Sequence, residues 1–225
     1  MQVNFTLRTQ TLYLAVSLFD RYISQHSVPV SSLQLLGITL LFIASKYEDP
    51  YSPLLQDLLE SSSKKYTKEE VIRYEGQVLS DLEFKLPAPS SLSFVYHYSQ
   101  RLECSETVIY LARYLLELGL LEPRMLAFKP SLLALTALYI SCIYHGVGKQ
   151  KKFETFEHGI DAVKECGTVL FTGFQKYHRS RTFSAVRDKY SKENFEKVAK
   201  LDVMDLVIAC ESYIVIKEVK WSAYF

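Results

Sequence analysis

Glycine and proline are scarce, eight and seven in 225 residues, which excludes a fold built from many short strands and tight turns. No apolar run reaches the roughly 18 residues of a membrane span without a charge or a break, so no span is expected. The opening MQVNFTLRTQ lacks a long apolar core and a small-residue cleavage site, so no secretory leader is expected either. A formal net charge of +1 gives no general pull toward nucleic acid or membrane. The four cysteines, Cys104, Cys142, Cys166 and Cys210, form no CxxC pair. Their wide spacing suits buried thiols in a reducing compartment. Cys142 and His145 could share a helix face as metal ligands, but two ligands without partners favour core packing. No metal or cofactor is expected. Phosphate loop, GxGxxG, HExxH and serine elbow are all missing, and no paired acids mark a cleft. His26, His97, His158 and His178 are scattered and suit surface or packing roles. The chain therefore reads as a non-enzyme.

What is present is helical periodicity. Segment 8–24 carries Leu12, Ala15, Val16, Phe19 and Ile23 at helical spacing. Segment 31–48 is apolar on most faces, the pattern of a central helix surrounded by others. Ser31 and Ser32 are candidate caps at its start, after Pro29. Segment 68–82 opens on Thr67 with Glu70 three residues on, a capping box. It directs Val71, Ile72, Val78, Leu79 and Leu82 inward. In FKLPAPSS, Pro87 and Pro89 forbid a continuous helix, and a domain boundary is placed there.

The second half repeats the first. YLAVSLFDRY (13–22) aligns with YLARYLLELG (110–119), and LLGITLLFIASKY (35–47) with LLALTALYISCIY (132–144), both at an offset of 97. EGQVL (75–79) aligns with CGTVL (166–170) at 91, a six-residue shortening. Ordered agreement in three places argues for two domains of one fold. The repeat is also an internal control. Lys46 in the first copy corresponds to Ile143 in the second, and Glu75 to Cys166, so the fold itself requires neither charge. One reading is local: a cation near a helix C-terminus is favoured by about 0.3–1 kcal/mol, and Glu75 faces solvent or pairs with Lys46. The other places both at the rim of an apolar surface, bonding a partner.

LAVSLFDRYIS, LQLLGITLLFIASKYEDPYSP and YTKEEVIRYEGQVLSDLEFKLPAPS closely resemble the cyclin box of A- and B-type mitotic cyclins. Asp20-Arg21, Ala44-Ser45-Lys46-Tyr47-Glu48 and Glu75 fall where that family's motif has them. PSLLALTALYIS and the closing AVRDKYS resemble the cyclin C-terminal fold, and the likeness covers roughly residues 5–201. It implies an all-α protein of two tandem five-helix domains. These are an N-terminal kinase-binding box at 1–87 and a C-terminal fold at 88–201, with an unassigned apolar tail at 202–225. It implies a regulatory subunit of a PSTAIRE-type cyclin-dependent serine/threonine kinase, at G2/M, in nucleus and cytoplasm. Lys46 and Glu75 would hydrogen-bond the kinase backbone, and Ile43, Tyr47, Leu79, Phe84 and Leu86 would pack on its regulatory helix. Arg21 is implied to be structural, tying helices of the first box.

The sequence departs from the family at its start, where most of the first box helix is missing ahead of Phe5. A truncated reading of a longer protein and a natural short form both stand open. That helix supplies part of the patch that docks RxL-type substrate motifs. Leu33 and Gln34 match the remainder of the patch, and Val30 stands where the family often has a basic residue. A destruction signal in an N-terminal extension is not expected, and the RxxL letters at 113–116 fall inside a helix. The tail VMDLVIACESYIVIKEVKWSAYF has no counterpart: Val203, Leu206, Val207, Cys210 and Ile214 suit a helix, while Tyr213, Val215, Val219 and Trp221 alternate as in a strand. An alternative function is a transcription-factor-IIB-like or transcriptional cyclin-fold protein. KQKK (149–152) and KYHRSRTFSAVRDKYSK (176–192) could contact phosphates, but a solvated basic face is the preferred reading, and no nucleic acid partner is expected.

Overall fold

A computed structural model describes residues 5–63, 65–87, 89–147, 153, 156–202 and 205–208. The chain divides into two compact units, Met1–Ser90 and Ser91–Phe225. Among the described residues both units are helical and neither contains a strand.

The first unit holds α1 (Thr9–Gln25), α2 (Leu33–Glu48), α3 (Leu55–Glu60) and α4 (Lys68–Asp81). α2 is the hub: α1, α3 and α4 all pack on it. Its apolar composition on all sides follows from that position, since a helix covered by neighbours cannot be amphipathic. Leu36, Leu40 and Ala44 are at most 1% exposed. By length and composition alone, Val30–Glu48 could cross a membrane. Lys46 and Glu48 interrupt its last turn, and here it is a core helix.

Local chemistry sets the helix ends. The Thr67/Glu70 capping box forms in both directions, satisfying two amide donors at the start of α4. A 3₁₀ turn, Val30–Ser32, leads into α2, and its N-cap residue Ser32 makes no side-chain cap bond. α1 is capped from a distance. Asp49, just beyond α2, accepts the Arg8 N–H at 2.9 Å on one carboxylate oxygen and the Thr11 hydroxyl at 2.6 Å on the other. An anion at a helix N-terminus is favoured by the macrodipole, so Asp49 also clamps α1 to the end of α2. In α1 the buried stripe is Thr11, Leu14, Ala15, Leu18 and Tyr22. Of the residues expected there only Ala15 is buried, and Ile23 is exposed. On α4, Val71, Val78 and Leu82 point inward as expected, but Ile72 is 57% exposed.

The second unit holds α5 (Ser91–Arg101), α6 (Glu106–Gly119), α7 (Pro130–Tyr144), α8 (Ile160–His178) and α9 (Ser184–Tyr190). The 97-residue offset carries the starts of α1 and α2 onto those of α6 and α7. α5, which packs on α7, has no counterpart among the described residues of the first unit. Arg113 and Leu116 are buried in α6, so the RxxL letters are covered. Cys142 and Cys166 are buried; Cys104 is only half-buried, a departure from expectation, and Cys210 lies outside the described residues. The tail is also mostly outside them, but 205–208 is helical and Leu206 and Val207 are buried.

His178, at the end of α8, is buried against Tyr114 and Phe174. The Tyr114 hydroxyl lies 2.7 Å from its Nδ1. Burial, with Arg187 and Arg179 nearby, pushes the imidazole down to about 4. The folded state thus keeps it neutral where the unfolded chain protonates it. This contribution is complete above the unfolded value of about 6.5 and is lost as pH falls toward the folded value. Stability should fall by about 2 kcal/mol between pH 7 and pH 5 from this group. Urea titrations at a series of pH values should show that loss, and His178→Gln should flatten it. An unchanged slope in the variant would assign the acid limb to other groups.

Candidate functional site: an ion pair within an apolar surface

The last turn of α2 and the middle of α4 bring Lys46 and Glu75 together. Lys46 Nζ donates to Glu75 Oε1 in an ion pair. The lysine side chain is 42% exposed and the glutamate 12%. The ammonium also sits 4.3 Å from the centre of the Phe42 ring, a cation–π contact. Phe42 and Lys46 are four residues apart and share a helix face. The equivalent of Glu75 in the second unit, Cys166, is fully buried. The fold therefore covers this position in both copies, and in the first it covers a carboxylate that needs a partner. The local pairing anticipated for these charges is present, and it leaves the ammonium open to solvent on one side.

Of the other residues expected to meet the kinase, Tyr47 is 52% exposed and Phe84 68%. Leu79 and Leu86 are half-buried, each packed against the core with an outer edge free. Ile43 is corrected: at 2% exposure it belongs to the core of the first unit and offers no surface to a partner. It lies three residues before Lys46, turned toward the packing side of α2. Ile72, expected inward, is instead part of this surface. It precedes Glu75 by three positions and Leu79 by seven, so the three share one face of α4, and that spacing was the available signal.

Phe84 is presented by a strained turn. Glu83 and Phe84 both have left-handed backbone, φ 52° and 55°, a conformation that costs a non-glycine residue about 1–2 kcal/mol. The Phe84 N–H closes on the Leu79 carbonyl at 2.9 Å, a C-terminal cap of the Schellman type with glutamate where glycine is usual. Arg21 holds the same turn: its Nη2 donates to the Lys85 carbonyl at 2.6 Å. The expected tie made by Arg21 is thus a tie between α1 and the segment that carries Phe84 and Leu86. Asp20 makes no bond to it among those described; burial raises its carboxyl above the ordinary range.

The two residues matched to a substrate-docking patch lie at the start of α2. Leu33 is half-buried. The Gln34 amide exchanges hydrogen bonds with Ser63 at 2.8 and 3.1 Å, so its polar atoms are already engaged. Val30 is 84% exposed.

The basic stretch 176–192 is split: Lys176, Arg179, Arg181 and Lys192 are exposed, while Lys189 is buried. Lys189 is 5% exposed and bonds both oxygens of Glu117, at 2.7 and 2.9 Å. The Tyr190 hydroxyl donates to the same carboxylate at 2.5 Å. Arg187 donates to the His178 carbonyl at 3.0 Å, and Lys176 lies 3.9 Å from Glu122. The expected solvated basic face is found for those four residues and not for Lys189, which ties α9 to α6. The sequence gives little warning of it: a lysine next to a tyrosine at the end of a short helix is an ordinary surface pattern. KQKK lies outside the described residues.

The family model for the cyclin N-terminal domain matches residues 1–87, and that for the cyclin C-terminal domain matches residues 89–204. The chain belongs to the cyclin family, a family of regulatory, non-catalytic proteins, and its two helical units are two tandem cyclin domains. It is 33% identical over 204 residues to putative cyclin-B3-1 of Arabidopsis thaliana, covering 89% of this chain and 51% of that protein. It is 32% identical to cyclin-A2-1 of Oryza sativa subsp. japonica, over 90% of this chain and 43% of the relative. To the G2/mitotic-specific cyclin-B of Dictyostelium discoideum it is 37% identical, over 63% and 32%. The chain thus spans about half, or less, of the length of these relatives. Among solved structures it is similar to a viral cyclin from herpesvirus saimiri, with a TM-score of 0.58 and 20% identity over 85% of this chain and 80% of that one, a likeness of fold.

Proposed function

We propose that this cyclin is the activating subunit of a PSTAIRE-type cyclin-dependent serine/threonine kinase, acting at G2/M in nucleus and cytoplasm. The observation that carries the reading is the Lys46–Glu75 pair lying on the same two helices as the exposed Tyr47 and Ile72. Paired charges beside exposed apolar side chains suit a binding surface. The ammonium keeps donors for a backbone carbonyl of the kinase's regulatory helix, and the second carboxylate oxygen of Glu75 can accept a backbone N–H. Tyr47, Ile72 and Phe84 would bury apolar area against that helix, with Leu79 and Leu86 beneath. Seating the helix inward lets its glutamate meet the kinase's catalytic lysine, a pairing that phosphoryl transfer requires. All catalytic groups belong to the kinase. The names of its relatives, several of them G2/mitotic-specific cyclins, support the timing.

The test is co-expression with a PSTAIRE-type kinase, purification of the pair, and phosphorylation of a histone substrate. Activity at least about 100-fold above the kinase alone is expected, in line with the gain when a missing catalytic element is put in place. A purified pair with no more activity than the free kinase would sink the activating role.

A further inference from the structure

We propose that Cys104 and Cys142 form a modification site at which a peroxide-class oxidant joins the two thiols in an intramolecular disulfide. Their sulfurs lie 3.9 Å apart. The geometry is built by two helix ends. α5 finishes through left-handed Glu103, φ 51°, and the Cys104 N–H closes on the Ser99 carbonyl at 2.9 Å. α7 finishes through Gly146, φ 71°, and the Val147 N–H closes on the Cys142 carbonyl at 2.9 Å. α5 and α7 pack on each other, so two fixed backbone caps aim the sulfurs at one point. A disulfide has its sulfurs about 2.05 Å apart, which leaves about 2 Å to close, within reach of side-chain rotation.

The two thiols differ in access. Cys104 is half-buried and Cys142 is 0% exposed. Peroxide reaches Cys104 first: its thiolate attacks one peroxide oxygen, the O–O bond breaks, hydroxide leaves, and a sulfenic acid forms. The Cys142 sulfur then attacks the Cys104 sulfur, the S–O bond breaks, and water leaves. Overall, two thiols and one hydrogen peroxide give one disulfide and two waters. The internal repeat shows that the fold does not require thiols here. Ninety-seven residues back from Cys104 and Cys142 stand Leu7 and Ser45, both buried in the first unit. Cys166 is a built-in control, buried in α8, where loss of solvation pushes its thiol up to about 11. The site lies in the second unit and does not rest on the kinase-binding reading.

The full chain, reduced and desalted, is treated with a slight excess of hydrogen peroxide and digested without reduction. The expected product is lighter by two hydrogens, yields a linked peptide pair containing Cys104 and Cys142, and returns to the parent mass with dithiothreitol. Cys104→Ser should form at least about tenfold less of the intramolecular disulfide, whereas Cys166→Ser should form as much as the parent. A bond to Cys166 or Cys210, bonds between molecules only, or oxidation of Cys104 beyond sulfenic acid with Cys142 left as a thiol would each overturn the proposal. The mapping is read on the parent chain, so it does not depend on any variant folding.

Discussion

Lys189→Ala should destabilise the second unit by about 3–5 kcal/mol, the cost of leaving a buried charge without its partner. Glu117 is 2% exposed, and its two oxygens are served by Lys189 and the Tyr190 hydroxyl alone among the described contacts. Removal of the ammonium leaves a carboxylate that one hydroxyl cannot stabilise. Burial holds the Lys189 ammonium below the usual lysine range, against the pull of Glu117, which shows how much solvation the pair has already given up. The double change Glu117→Leu with Lys189→Met should recover most of the loss, because a packed apolar pair carries no desolvation cost. Thermal and urea unfolding of the parent and the two variants make the test. A Lys189→Ala chain as stable as the parent would mean that water reaches Glu117.

Lys46→Ala combined with Glu75→Ala should weaken kinase binding by at least about 100-fold, the effect of removing a central hot spot, while helical circular dichroism stays at the parent level. Each single change should already cost most of that factor. The two should not add, since each group orients the other. The repeat supplies the counterpart: Ile143→Ala with Cys166→Ala should lower stability by roughly 1–3 kcal/mol and leave kinase affinity unchanged. Titration calorimetry or surface plasmon resonance with the purified kinase separates the outcomes. A double variant that binds as tightly as the parent would remove Lys46 and Glu75 from the interface.

The central helix, the capping box and the two-copy organisation were legible because each rests on a local pattern. Apolar character on every side marks α2, and Thr67 with Glu70 marks the start of α4. Phase was less legible. Ile72 and Ile23 are apolar and correctly spaced, yet both are exposed, because spacing gives a face and not the neighbour that covers it. Ile43 failed for the reverse reason: a family contact position sits here wholly inside the core. Asp49 and the Glu117–Lys189 pair could not be read at all. Their partners are 38 or more positions away in sequence, and no local rule links an acid to a helix start or a buried lysine at that distance.

The covering of α2 has a consequence for synthesis. α1 precedes it in the chain, but α4 begins at Lys68, some way after Glu48. A ribosome adding about 5–20 residues per second therefore exposes the most apolar segment of the first unit for seconds before its last cover exists. During that interval the nascent chain presents Val30–Glu48, a stretch with the length and hydropathy of a bilayer-spanning helix. Any factor that recognises apolar helices has that interval in which to bind the stretch before the finished unit hides it.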